Sequence, residues 1–333
     1  MAATVEQFWG DITTLALKLV QAYGLTYSLS GSTADEMALQ RWMDYRLRHL
    51  IAQPRKVVKS SRFPVQNLPA EINKALSVLE AKFTNGDDVN PYLSKTTIAN
   101  DVSAAKQMRR TDGLWADWGI HHLHLTPEPL VEGERFSKRS GWLLFARIYE
   151  DVVALIDVRS HDEKDLWTQE ELLKTFIDSW PEQAEPHRIS TMQVTSTPTE
   201  PGDLKSLRNA GIVAPVEHNG QHYFGFGGGV TAAVTSSAAS MACVNVIRNA
   251  HQLALWLDSP DNIIRVELNG LGISQPKFFL GVGDHGLVIA ERTKTEHAWN
   301  FPESNQRNFS AVQDGLLPAW AVPTLMDHLR SEL

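Results

Sequence analysis

Cysteine occurs once in the 333 residues, at Cys243, which excludes an internal disulfide and any zinc site built from several thiolates. Long apolar runs are missing as well. No window approaches the ~18 uninterrupted apolar residues of a membrane helix, and Met1-Ala2-Ala3-Thr4-Val5-Glu6 lacks the basic start of a secretory signal. An excess of positive charge is also lacking: 31 Lys and Arg against 39 Asp and Glu leave −8, which argues against a chain coated in nucleic acid through bulk electrostatics. No internal repeat is present. What remains is 43% hydrophobic and 21% charged, close to the globular average, so wholesale disorder is excluded. At roughly 100–200 residues per domain, the length predicts about two or three domains. The expectation is a cytoplasmic, multidomain protein with no part in the membrane.

The charge is unevenly placed. Arg41, Arg46, Arg48, Arg55, Lys56, Lys59 and Arg62 stand against Asp44 alone, a local charge of +6 that leaves −14 for the remainder. A basic stretch on an acidic chain suits a polyanion or an acidic partner protein, and it suits a solvated helix face equally well. On the first reading Arg46, Arg48, Arg55, Lys56, Lys59 and Arg62 are candidate nucleic-acid contacts.

Periodicity predicts an α+β fold. Phe8, Ile12, Leu15, Leu17, Leu19 and Val20 recur at helical spacing, and Gly24 supplies a stop. Ser32 or Thr33, with Glu36, would cap a second helix running to Pro54. An extended piece spans Arg55–Phe63, a third helix Pro69–Lys82, and a weaker helical pattern Thr97–Met108. From Trp115 strands are expected: Gly119–Thr126, then Ser140–Tyr149 and Val152–His161, joined at Glu150-Asp151 as a hairpin whose apolar continuity places a strand mid-sheet. Helix returns at Glu170–Trp180. Pro181, Pro186, Pro198 and Pro201 with Ser, Thr and Glu between them read as a linker. Beyond it come a helix at Leu204–Asn209, a strand at His222–Phe224, a long small-residue helix at Ser237–Leu257, strands around Ile263–Leu268, Lys277–Val282 and Gly286–Arg292, and a helix near Ala321–Arg330. The expected domains are an N-terminal helical region (1–114), a central β-rich catalytic domain (115–182), a linker (183–201) and a C-terminal α+β domain (202–333).

His121, His122 and His124 are the densest chemical signal. On a strand His122 and His124 share one face, ~6–7 Å apart, while His121 joins Leu123 and Leu125 on the other. Such a pair can serve as acid and base, or as two ligands of a metal; the metal reading needs a third ligand, for which Asp157, His161, Asp162 or Glu163 would have to be brought close. His121 is expected in the core. On the last strand of the hairpin Asp157, Arg159 and His161 alternate on one face, opposite Ala154, Ile156 and Val158. Ionisable groups on an apolar strand are costly unless paired, used or carried out toward solvent. Lys138 and Arg139 precede the first hairpin strand, at the expected sheet edge.

The hairpin Ser140–His161 resembles the central hairpin of RelE/ParE-type toxins, in which an apolar strand, a short acidic turn and a second apolar strand ending in a basic or His residue floor a ribonuclease site. The likeness covers about residues 115–165, with Trp118–Thr126 similar in place to the family's preceding strand. It implies cleavage of RNA by its own 2′-hydroxyl, without metal or other cofactor, through clustered His, Arg and Lys; the matching positions are His122, His124, Lys138, Arg139, Arg159 and His161. The implied partners are RNA, mRNA or tRNA, free or ribosome-bound, and an antitoxin or other acidic regulatory protein, with an oligomer as a further form. The chain departs from the family in its large flanking regions and its three-histidine strand. The residues meet the chemical needs of that reaction independently: a base, an acid, and cations around a pentavalent phosphate.

Other motifs are weaker. His124-Leu125-Thr126 is similar to one half of the repeated His-x-Thr/Ser pair of two-histidine phosphoesterases, but His187-Arg188-Ile189 lacks the required third residue. Gly225–Gly229 precedes the long helix yet lacks the Lys-Ser/Thr ending of a phosphate loop, so close packing is the expected role. Cys243 sits among alanines and reads as packing. The expected activity is thus a metal-independent endoribonuclease of a toxin–antitoxin or phage-defence module. A metal-dependent or two-histidine phosphoesterase, and a binding protein whose histidines are structural, are the alternatives.

Overall fold

The computed structural model describes all residues except 1–2, 29–33, 105, 107–109, 192, 195–196, 198–199, 294–296, 302 and 305–306. The expected cap at Ser32 or Thr33, Met108 and Pro198 lie outside the described residues, as does the Glu36 side chain. Helices α1 (Ala3–Ala22) and α2 (Ala34–Arg46) lead to strand β1 (Lys56–Lys59) and helix α3 (Ala70–Asn85). Two short helices follow, α4 (Thr96–Ala99) and α5 (Gly113–Trp118), then strands β2 (His121–His124), β3 (Trp142–Ile148) and β4 (Val152–Ser160). Helices α6 (Glu171–Ser179), α7 (Pro181–Ala184) and α8 (Pro201–Asn209) precede the small hairpin β5 (Val216–His218) and β6 (Gln221–Tyr223). The long α9 (Ser237–Asp258) and α10 (Ile263–Gly270) lead into β7 (Phe278–Gly283), β8 (Gly286–Glu291) and β9 (Ala298–Trp299). The two-residue strands β10 (Glu303–Ser304) and β11 (Arg307–Asn308), then α11 (Ser310–Leu316) and α12 (Val322–Ser331), complete the order. The fold is α+β, with a helical N-terminal region, and no described helix is long and apolar enough to cross a membrane.

The chain divides into two compact units, residues 44–238 and residues 1–43 with 239–333. These boundaries differ from those read from composition. Residues 183–201 are no free linker where described: Ala184 is buried in the core, Ile189 donates to the His222 carbonyl at 2.8 Å, and the His187 carbonyl accepts from Phe224 at 2.9 Å. Residues 1–43 belong with the C-terminal segment because α1 packs on β7 and α12. Their shared bonds run from Thr4 Oγ1 to Asp258 (2.6 Å) and from the Leu280 amide to Asp11 (2.8 Å).

The 44–238 unit is built on a sheet of order β1-β4-β3-β2, with β1 parallel to β4 and the other pairs antiparallel. Both hairpin strands are therefore internal, which is why they are apolar throughout. One face carries Leu123, Leu144, Ala146, Val153, Leu155 and Val158 and packs on α3 through Ile72, Leu76, Leu79 and Phe83. The other carries Leu143, Phe145, Ala154 and Ile156 and packs on α6, on Leu114 and Trp118 of α5, and on Leu204 of α8.

Register corrects one reading of the last strand. Ala146 opposes Leu155 while Phe145 opposes Asp157, so Ile156 is an extra, bulged residue. Ala154, Ile156, Asp157 and Arg159 consequently lie on the side of Leu143 and Phe145, and Val158 alone of the expected opposite set lies on the other. Among the described residues only Thr96–Ala99 of the helical pattern expected over Thr97–Met108 is helix. Three further elements differ. α2 ends at Arg46 rather than running to Pro54, residues 113–118 are helix before the first strand, and Ile263–Gly270 is helix rather than strand. In α10 Asn262 caps the start by accepting from the Arg265 amide at 2.8 Å, and only Ile264 and Leu268 are buried, four residues apart, with Val266 58% exposed.

Candidate active site

The 44–238 unit holds a cavity of about 540 Å³ with His122, His124 and His161 on its wall. Strand parity puts His122 and His124 on the same side as Phe145 and Leu143, their register partners, and the bulge at Ile156 brings the end of β4 to that side. The ring centroids of His122 and His124 lie 6.5 Å apart, and those of His124 and His161 6.4 Å apart. Trp167 closes the group, 4.9 Å from His122 and 5.8 Å from His161. The three histidines that the sequence proposes as one cluster are therefore together.

Their environments differ. His122 is buried, its Nδ1 3.6 Å from Asp112 Oδ2. Burial pushes its pKa below the ordinary value, with Arg48 adding to the effect and Asp112 opposing it. Burial, then Arg139 and His122, push His124 down to about 4. His161 is exposed at the rim. His121, on the opposite side of the strand, is buried and pushed down to about 3, chiefly by desolvation; neither of its ring nitrogens has a hydrogen-bond partner among the described residues.

Asp112 anchors this wall. Its Oδ1 accepts from the Leu114 and Trp115 amides at 3.1 and 3.2 Å, capping α5. Burial opposes its charge, yet His122, Arg48 and the Trp115 amide hold its carboxyl below the usual range. Behind it Arg48 donates to the Thr96 carbonyl (3.2 Å) and pairs with Asp44, which accepts from Thr111 Oγ1 at 2.6 Å.

The cations expected at the reaction centre stand outside the cavity wall. Arg159 pairs with Asp157 and, at 2.8 Å, with Glu163; burial works against its charge, but these two carboxylates raise its pKa on balance. Asp157 is itself fixed by the Val65 and Val158 amides. Lys138 is an exposed surface residue paired with Glu128 at 2.5 Å. Arg139 donates to the Leu93 carbonyl at 2.8 Å and lies over Phe136. None of these three lines the cavity. Glu163, named from the sequence as a possible metal ligand, lines the cavity, and among the side chains that sequence reasoning missed there are Asp112, Trp167, Lys205 and Arg208; the cap position Asp112 before the apolar Leu114 and Trp115 is the one local signal that marked any of these four.

The basic stretch Arg41–Arg62 is likewise not a charged face. Arg48 and Arg55 are buried, Arg55 spending its guanidinium on the carbonyls of Tyr149 and Ile51 at 2.9 and 3.0 Å. Arg41 is buried and donates to the Thr26 carbonyl, and Arg46 is half-buried. Arg62 pairs with Glu171 at 2.7 Å and Lys59 with Glu80 at 2.8 Å. Lys56 and Lys59 mark the ends of β1, a sheet edge, where lysine discourages further strand pairing.

The glycine run serves packing. The Gly227 and Gly229 amides bond the Asp117 and Ala116 carbonyls at 2.9 Å each, closing the C-terminal end of α5. A Cβ at Gly227 would lie 2.3 Å from the Trp115 carbonyl oxygen. Cys243 is buried, its thiol pushed up to about 12 by desolvation. Among the described residues no group of three or more His, Cys, Asp or Glu side chains is arranged to hold a metal ion. No family model, no curated protein and no solved structure matches the chain.

Proposed function

We propose that this cavity is the active site of a metal-independent endoribonuclease of toxin type, acting in the cytoplasm within a toxin–antitoxin or phage-defence module. The observation that carries the reading is the His124–His161 pair, 6.4 Å between ring centroids on one cavity wall. On this reading one phosphoryl group lies between them, hydrogen-bonded to each at ~2.7–3.0 Å. His124 takes the proton of the 2′-hydroxyl, the 2′-oxygen attacks phosphorus, and the bond from phosphorus to the 5′-oxygen breaks. His161, open to solvent for reprotonation, gives its proton to the leaving 5′-oxygen. The product ends are a 2′,3′-cyclic phosphate and a 5′-hydroxyl. A value of about 4 keeps His124 neutral at pH 7, as a base must be, and a bound phosphate beside it raises its proton affinity toward neutrality. Asp112 and Trp167 hold His122 as the second wall of the pair. The RelE/ParE likeness of the hairpin supports the same chemistry.

The test is cleavage of total RNA by the purified protein in EDTA, with analysis of product ends. His124→Ala and His161→Asn are each expected to lower the rate by on the order of 10²–10⁴ while the melting temperature holds within a few degrees. Cyclic phosphate ends from a 2′-hydroxyl substrate, and none from DNA, support the mechanism. A His124→Ala protein that melts early yet cleaves normally below its melting point makes the residue structural, and activity lost in EDTA and restored by manganese assigns the site to a metal-dependent phosphoesterase.

A further inference from the structure

Lys205, Arg208 and Asn209 lie on one face of α8 at helical spacing, and all three line the cavity. Arg208 is only 8% exposed. Its guanidinium is fixed on three sides: Nε donates to Asp117 Oδ2 at 2.7 Å, Nη1 donates to the Trp167 carbonyl at 2.6 Å, and the group lies 4.3 Å from the Trp118 ring centroid. A guanidinium carries five N–H donors in a rigid fork, two of them on Nη2. Nη2 is buried and has no hydrogen-bond partner among the described residues. Buried charged donors nearly always have an acceptor, and this unfilled donor belongs to a residue of the cavity wall.

Two of the carboxylates nearby are occupied. Glu163 is held by Arg159 and Gln169, at 2.8 and 3.0 Å, and Asp112 by the first amides of α5. Asp165 lines the same cavity. Burial pushes the Asp117 carboxyl upward against the pull of Arg208. A planar fork with free donors, backed by an exposed lysine one turn away, matches the several oxygens of a phosphate.

We propose that Arg208, assisted by Lys205, is the phosphate-binding group of this cavity. Resting on the ribonuclease reading above, the phosphate is the scissile phosphodiester of RNA, and Nη2 stabilises the charge that builds on its non-bridging oxygens. Unlike Lys138, Arg139 and Arg159, Arg208 lines the cavity, and this assigns the cationic role to α8.

The test uses the full chain, with inorganic phosphate and a 2′-O-methyl oligoribonucleotide, which cannot be cleaved, as probes. Arg208→Lys keeps a cation for Asp117 but removes Nη2, and Lys205→Ala changes an exposed position. Each variant is expected to weaken oligonucleotide binding on the order of 10–100-fold, the worth of a charge-assisted hydrogen bond, and to flatten the salt dependence. Wild-type affinity in either variant that folds overturns the proposal, whether or not the protein cleaves RNA. Arg208-dependent binding by a protein that cleaves no RNA upholds the phosphate site and overturns the ribonuclease reading. Binding of inorganic phosphate equal to that of the oligonucleotide assigns the site to a free phosphate or phosphorylated small molecule, and preference for the oligonucleotide assigns it to RNA.

Discussion

His121 and His122 are adjacent residues with opposite fates. His122 faces a cavity and has Asp112 beside it, whereas His121 is buried with both ring nitrogens unbonded among the described residues. An imidazole held neutral in the native state and free to protonate when unfolded makes stability depend on pH. Its folded value of about 3 lies below the ordinary 6.5, so between those limits the unfolded chain binds more protons and stability falls as pH falls. The slope reaches about 1.4 kcal/mol per pH unit for one such group; His124, about 4 in the folded protein, adds to it in the same direction. His121→Leu removes a buried polar group with no bond to lose, so its melting temperature at pH 7.5 is expected to equal or exceed that of the parent. Its decline from pH 6.5 to 4.5 is expected to be shallower. Thermal melts across that range check both, and parallel curves for the two proteins would mean His121 is not buried neutral.

At the scale of elements, α5 explains how six residues can hold a cavity wall. Asp112 closes its N-terminus and the Gly227 and Gly229 amides close its C-terminus, so this short helix has partners at both ends. Gly227→Ala would drive a methyl group into the carbonyls of Trp115 and Ala116, at 2.3 and 2.5 Å, with only backbone to yield. The expected cost is about 1–3 kcal/mol, with weaker oligonucleotide binding because Asp112 and Leu114 of the cavity wall shift with the helix. Gly202→Ala, where nothing lies within 4 Å, is expected to be neutral or slightly stabilising in α8. Urea melts of the two variants provide the comparison. The same elements mark what a sequence can reveal. The β3–β4 hairpin and the shared face of His122 and His124 were legible because a strand's period of two is strict. The bulge at Ile156 was not, since nothing in Leu155-Ile156-Asp157 distinguishes a regular pair from a bulged one. Ile264, Val266 and Leu268 fit a period of two as well as Ile264 and Leu268 fit a helix, and the Asn262 cap with burial of only the latter pair decided for helix. Arg208 was invisible for another reason: its meaning comes from Asp117 and Trp167, 91 and 41 residues away. The basic run misled because charge on paper is not charge at the surface: Arg48 pairs with Asp44, and Arg55 spends its guanidinium on backbone carbonyls.

At the scale of the molecule, one unit is continuous in sequence and the other is not. Residues 44–238 contain every residue of the cavity wall. The second unit is assembled from both ends of the chain: α1 contributes the buried Phe8, Ile12, Leu15 and Leu19, and Trp42 donates to the Leu316 carbonyl at 2.7 Å. Lys18 and Glu332 meet at 2.7 Å. Cutting before Asp44 leaves in place the pairs that Asp44 makes with Arg48 and Thr111, so the buried charges behind Asp112 stay satisfied. A fragment of residues 44–238 is therefore expected to melt cooperatively and to retain Arg208-dependent oligonucleotide binding within a few-fold of the full chain. Residues 239–333 alone are expected to lack a cooperative transition, because the apolar side chains of α1 that fill their core are absent. Far-UV circular dichroism melts and binding of the 2′-O-methyl oligonucleotide by each fragment provide the check. A 44–238 fragment that folds but binds nothing would show that the second unit supplies part of the binding surface.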